Sequence, residues 1–150
     1  MFTLWPTRKR SVSQKVWAEV LFVKNKMKRD KIIYWIVTAF LSLSLVLAGY
    51  MYLTSPVMAA GFNHFGFPGF FRIELGVAKI VASLILILPV VPTRIKEWAY
   101  IGVGIVFISA FIAHTSVDGI HTTLSPVISL VFWIASFIFF NRINKRSISI

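Results

Sequence analysis

The chain has no cysteine in its 150 residues. That excludes disulfide-relay chemistry, thiolate metal sites, iron–sulfur ligation and lipoprotein processing, and leaves the compartment open. Charge is scarce as well. Asp, Glu, Lys and Arg make up 14% of residues, against about a quarter in a soluble domain. Acidic groups are the rarest, five against sixteen Lys and Arg. No nucleophile–base pair and no metal motif can be found. The three histidines, His64, His114 and His121, match no metal-ligand spacing.

What the chain has in quantity is apolar surface. It is 57% hydrophobic with a mean hydropathy of +0.79, the composition of a polytopic membrane protein. A net charge of +11 in a soluble protein would point to nucleic acid. Here the basic residues lie outside the long apolar runs or at their ends. That suits the anionic cytoplasmic face of a bilayer, so the expected partner is lipid and not nucleic acid.

Residues 1–31 are polar and basic. Between Ser13 and Met27, Val16, Val20, Val23 and Met27 recur at helical spacing, which fits an amphipathic helix on the membrane surface or a basic tail. Met27-Lys28-Arg29-Asp30-Lys31 would also serve as a basic start of its own. Four apolar runs follow: Ile32 to Leu53, Ile73 to Val91, Trp98 to Val117 and Thr122 to Phe140. Each is close to the 20 or so residues that cross a bilayer. A secretory signal cleaved near Ala59-Ala60 is the rival reading of the first run. That run is long for such a signal, and three more come after it. Thr54 to Phe71 reads as a loop by its Gly and Pro content, yet it is rich in Phe and should fold back on the bundle or the interface.

Lys and Arg occur in the N-terminal segment, in the Arg94/Lys96 turn and in the tail, residues 142–150. The other two loops have none. The positive-inside rule then places both termini in the cytoplasm. The expected fold is all-α: an integral membrane four-helix bundle, up-down-up-down, spanning residues 32–141. Stripes of small residues should let the helices approach: Thr38, Ser42 and Gly49; Gly102, Ser109 and Ala113; Ser125, Ser129 and Ser136.

The second run differs from the rest. Arg72, Gly76, Lys79 and Ser83 share one helical face, while Glu74 points to the opposite side. A lysine deep in a span costs about 2.5–3.5 kcal/mol and faces the interior with a partner. His64, His114 and Asp118 belong to the same outer side, and His114 and Asp118 are placed for a hydrogen bond. Two readings stand for His64, Arg72, Glu74, Lys79, His114 and Asp118. They form a polar pocket under the Phe-rich loop, or an ion-pair network that pins the loop.

The order of several short motifs resembles the DoxX-like family of small four-span bacterial membrane proteins. They are Lys31-Ile32-Ile33-Tyr34-Trp35-Ile36, Gly49-Tyr50-Met51-Tyr52-Leu53, Phe62-Asn63-His64-Phe65-Gly66-Phe67-Pro68, Leu75-Gly76-Val77-Ala78-Lys79-Ile80, Lys96-Glu97-Trp98-Ala99-Tyr100 and Ala113-His114. The resemblance runs from about Lys28 to Asn141. It implies a multi-pass protein of the bacterial inner membrane, and the broader family takes its name from a small subunit of a membrane thiosulfate:quinone oxidoreductase. By that resemblance the cofactor would be a quinone and the partner a membrane or peripheral redox protein, with no catalytic role assigned to any residue. The alternatives are a non-enzymatic module that binds a lipid or protein, and a small transporter working as a homo-oligomer.

Overall fold

The computed structural model describes residues 8–119 and 124–148. Over these the chain is helical, with five helices: α1 (Arg8–Thr54), α2 (Pro56–His64), α3 (Gly69–Ile87), α4 (Thr93–Val117) and α5 (Leu124–Ile148). No strand occurs among the described residues.

Local chemistry sets the breaks. Pro56 sits in the first turn of α2, where its missing N–H costs nothing. Leu88 is extended ahead of Pro89, as a residue before proline must be, and α3 stops there. Pro92 precedes α4, and Gly119, at φ +83°, closes it in the left-handed conformation that suits glycine. Several expected boundaries move, two of them by many residues. The Thr54–Phe71 connection contains a helix instead of being wholly a loop. The basic segment and the first apolar run form one helix of 47 residues, about 70 Å long, because no proline or glycine interrupts it before Gly49. Its stretch from Gln14 to Arg29 is almost entirely exposed. This stretch is continuous with the helix of the apolar run.

Three described stretches are long and apolar enough to cross a membrane: Gln14–Thr54, Thr93–Val117 and Pro126–Lys145. The 19-residue α3 is apolar too, but it carries Arg72, Glu74 and Lys79. It packs against α1 and α4, and α5 packs against the same two helices.

Helices α1 and α3 meet at two glycines. A Cβ on Gly49 would come within 2.7 Å of the Gly76 carbonyl oxygen, and one on Gly76 within 3.2 Å of the Gly49 oxygen. Two turns away, Ser83 Oγ donates to the Ser42 carbonyl at 2.9 Å. Hydroxyls join α5 to its neighbours. Ser136, fully buried, lies 2.8 Å from Thr38 Oγ1 on α1 and 2.7 Å from Tyr100 Oη on α4. The Trp133 indole N–H donates to the Tyr100 carbonyl at 2.9 Å. Around these contacts lie Leu41, Leu45, Leu86, Val103, Phe107 and Phe140.

The small-residue stripes are only partly where helices touch. Thr38, Ser42, Gly49 and Ser136 are buried, and the Ser125 side chain lies outside the described residues. On α4, Gly102 and Ser109 are exposed. The close approach there falls on Gly104, whose absent Cβ would collide with the Trp133 ring. A large aromatic on α5 chose its notch by shape, which the spacing of small residues on α4 does not encode.

Gly49→Val should therefore force α1 and α3 apart. The expected loss is about 1–3 kcal/mol, read as a lowered melting temperature in detergent. Gly102→Ala, which meets nothing within 4 Å, should leave the melt unchanged.

Candidate functional site

The helices bring chemistry together at two ends. One end gathers Lys31, Thr93, Lys96 and Asn144. The far end gathers Tyr52, the Phe-rich connection and the last turns of α4.

The far end is built on the cap of α2. Gly66 has φ +76°. The Phe67 N–H reaches the Phe62 carbonyl at 2.9 Å, and the Gly66 N–H reaches Asn63 at 3.0 Å. This pair of bonds is the Schellman motif, which ends a helix by turning the chain through a left-handed residue. The turn brings the Phe62 and Phe67 rings together, 6.0 Å apart. Phe67 also meets Phe71 at 5.1 Å, so the aromatic run packs on itself over the bundle.

Under this lid lies a cavity of about 520 Å³. Aromatic side chains Tyr52, Phe62, Phe65, Phe67 and Phe71 form one side. Ser109, Ala110 and Ala113 of α4 form the opposite wall, so two small residues expected at a helix contact leave space instead. The imidazole of His114 is at the rim, its ring edge-on to Phe65 at 4.8 Å.

Asp118 holds the two histidines. His64 Nε2–H donates to Asp118 Oδ1 at 2.8 Å. His114 Nδ1 lies 3.3 Å from Oδ2, one turn along α4, close enough for an ion pair but not aligned as a hydrogen bond. The carboxylate favours a proton on Nδ1, which leaves Nε2 of neutral His114 with its lone pair. The His64 contact ties the end of α2 to the end of α4. His64 is well exposed, so the pair is worth at most about 1 kcal/mol.

Arg72 and Lys79 converge on Tyr52. Arg72 Nη1 donates to the Tyr52 carbonyl. Lys79 is 8% exposed, and its ammonium stands 3.8 Å from the centre of the Tyr52 ring. Helical side chains lean toward the helix N-terminus, here toward the far end, so the lysine reaches back to the ring. A desolvated cation–π contact contributes about 2 kcal/mol, which offsets much of the cost of placing the ammonium there. Glu74 is exposed and makes no ion pair among the described residues, and Arg72 turns away from it.

The six residues expected to share a polar pocket are thus divided. His64, His114 and Asp118 form one group, Arg72 and Lys79 another, and Glu74 stands apart. Only His114 lines the aromatic cavity. His121 lies outside the described residues. Tyr52 is the residue that sequence reasoning passed over, since it enters there only as part of the Gly49-Tyr50-Met51-Tyr52-Leu53 motif. Its spacing of three from Gly49 was the available signal, because it puts the ring on the face that meets α3.

Gly66→Ala should strain the cap by about 1–2 kcal/mol. Faster hydrogen exchange confined to α2 and the following turn would report the loosened lid.

No curated protein and no solved structure matches the chain. The DoxX-like family model matches residues 36–136, which takes in the cavity, the His64–Asp118–His114 group and Lys79. The match and the apolar helices make this a membrane protein, and the chain belongs to the DoxX-like family.

Proposed function

We propose that this is a four-crossing protein of a bacterial inner membrane, in an up-down-up-down bundle with both termini on the cytoplasmic side. In this reading α3 is the fourth crossing, apolar along its length but interrupted by Arg72, Glu74 and Lys79. Its buried residues are Gly76, Lys79, Ser83 and Leu86, so the lysine adds to the interior and not to the lipid face. Lys31, Lys96 and Asn144 meet at one end, the arrangement that the positive-inside rule expects of a cytoplasmic face.

Its function in this reading is to hold a quinone or quinol as the membrane subunit of a redox complex. The observation that carries this is the aromatic cavity with a single imidazole at its rim. Binding sites for small ligands are apolar enclosures of about 300–1,000 Å³ with few polar groups that fix orientation. Phe and Tyr side chains in tilted and edge-to-face contact suit a flat ring. The His114 lone pair accepts a hydrogen bond from a quinol hydroxyl, and the protonated imidazole donates one to a quinone carbonyl. The quinone would supply the electron chemistry. The chain's residues orient its ring, exclude water with the α2 lid and set the imidazole proton through Asp118. The transporter reading has less support, because the Lys79 ammonium is turned onto the Tyr52 ring and the cavity of about 320 Å³ that Lys79 lines is otherwise walled by Leu, Ala, Val, Ile and Gly.

Protein purified from native membranes should carry a quinone, identified by chromatography of an organic extract. His114→Leu should lower its retention roughly fivefold, the loss of one hydrogen bond of about 1 kcal/mol. Phe65→Ala should lower it further, and Glu74→Gln should not. Native protein free of any quinone would refute the reading.

A further inference from the structure

The basic end holds a further cavity, of about 300 Å³, separate from the aromatic one. From its geometry we infer a binding site for a phosphate oxyanion, filled by the headgroup of an anionic phospholipid. Lys96 is the central residue. It is 6% exposed and lines the cavity together with Lys31, Trp35, Thr93 and Asn144. Its ammonium donates to the Leu86 carbonyl at 3.1 Å and lies 5.7 Å from the centre of the Trp35 ring. An ammonium has three N–H donors, so one carbonyl leaves two for the cavity. A carbonyl dipole and an aromatic face reduce the cost of burying the cation, but neither brings the negative charge that would balance it.

Two further observations point to an anion. Asn144 Nδ2 is buried with no hydrogen-bond partner, and Asn144 lines the same cavity. Its amide is a donor waiting for an acceptor. No carboxylate among the described residues lines the cavity, although Asp30 is buried next to Lys31 and Glu97 follows Lys96. Helix α4 begins at Thr93 without a side-chain cap, so the positive end of its dipole adds to the field.

The same chemistry would accept a soluble phosphate ester, and the surroundings favour a lipid. The cavity lies where the apolar runs end, between the start of the apolar part of α1, the turn from α3 to α4, the first turn of α4 and the C-terminal part of α5. Leu88, Val90 and Ile95 beside it are exposed apolar residues, a surface for acyl chains. Basic pockets between membrane helices on the cytoplasmic side are the setting in which anionic headgroups bind.

The test uses the full chain in detergent, stripped of lipid. Native mass spectrometry and thermal melting follow addition of phosphatidylglycerol, phosphatidylcholine or glycerol 3-phosphate. With two lysines at the site, phosphatidylglycerol should bind about thirtyfold more tightly than phosphatidylcholine and raise the melting temperature. Lys96→Met should reduce that preference about fivefold, and so should Lys31→Gln. Lys31 is exposed, so its variant keeps the test valid if Lys96→Met fails to fold. Equal binding of the two phospholipids overturns the inference, as does a preference that survives both Lys31→Gln and Asn144→Leu. Stabilisation by glycerol 3-phosphate equal to that by phosphatidylglycerol overturns the lipid assignment and gives the site to soluble phosphate esters. Quinone retention does not enter any of these readouts.

Discussion

Helices α1 and α3 touch through bare backbone at Gly49 and Gly76, and the rest of the molecule is arranged around that contact. In a membrane, apolar side chains gain little by leaving lipid for one another, so close approach and internal hydrogen bonds must hold helices together. The glycines provide the approach. On one side of them Ser83 donates to the Ser42 carbonyl, and on the other Arg72 donates to the Tyr52 carbonyl. The Tyr52 ring receives Lys79 only because the two backbones are that near. A bulkier pair at the crossing would leave the ammonium without its ring.

The other contacts follow the same rule. Ser136 joins three helices by accepting or donating to Thr38 and Tyr100, and Trp133 uses its indole N–H on the Tyr100 carbonyl while its ring fills the notch at Gly104. Polar groups in the middle of the bundle are therefore few and mostly partnered. Among the described residues, buried polar atoms without a hydrogen bond are located toward the ends, at His114 Nδ1 and Asn144 Nδ2, with Ser42 Oγ the exception inside the bundle. The two ends differ in character. The far end is aromatic and nearly neutral, closed by the α2 lid, and the basic end carries buried Lys96. A ring-shaped ligand suits the first and an oxyanion the second.

Much of this was legible in the residues. The apolar runs announced helices, and Pro56, Pro89, Pro92 and Gly119 marked where they break. The face shared by Gly76, Lys79 and Ser83 is the buried face of α3. The His114–Asp118 pair followed from i, i+4 spacing. Glu74 is exposed, away from that face, although it was also expected among the polar-pocket residues. Other features were not legible, because they depend on what stands across a contact. Gly102, Ser109 and Ala113 look like a packing stripe, but whether a small residue admits a neighbour or borders a void depends on the size of the side chain opposite. The His64–Asp118 bond joins residues 54 apart in sequence, and no local pattern links them.

The sequence by itself determined that the chain is helical, that it belongs in a membrane and where its charges fall along each helix, because these depend on composition and on a period of 3.6 residues. Only the tertiary structure decided which aromatic ring meets Lys79, which small residues leave a cavity and that Lys31, Lys96 and Asn144 share one pocket. Those outcomes depend on the register and distance between helices, and register comes from steric fit between surfaces remote in the chain.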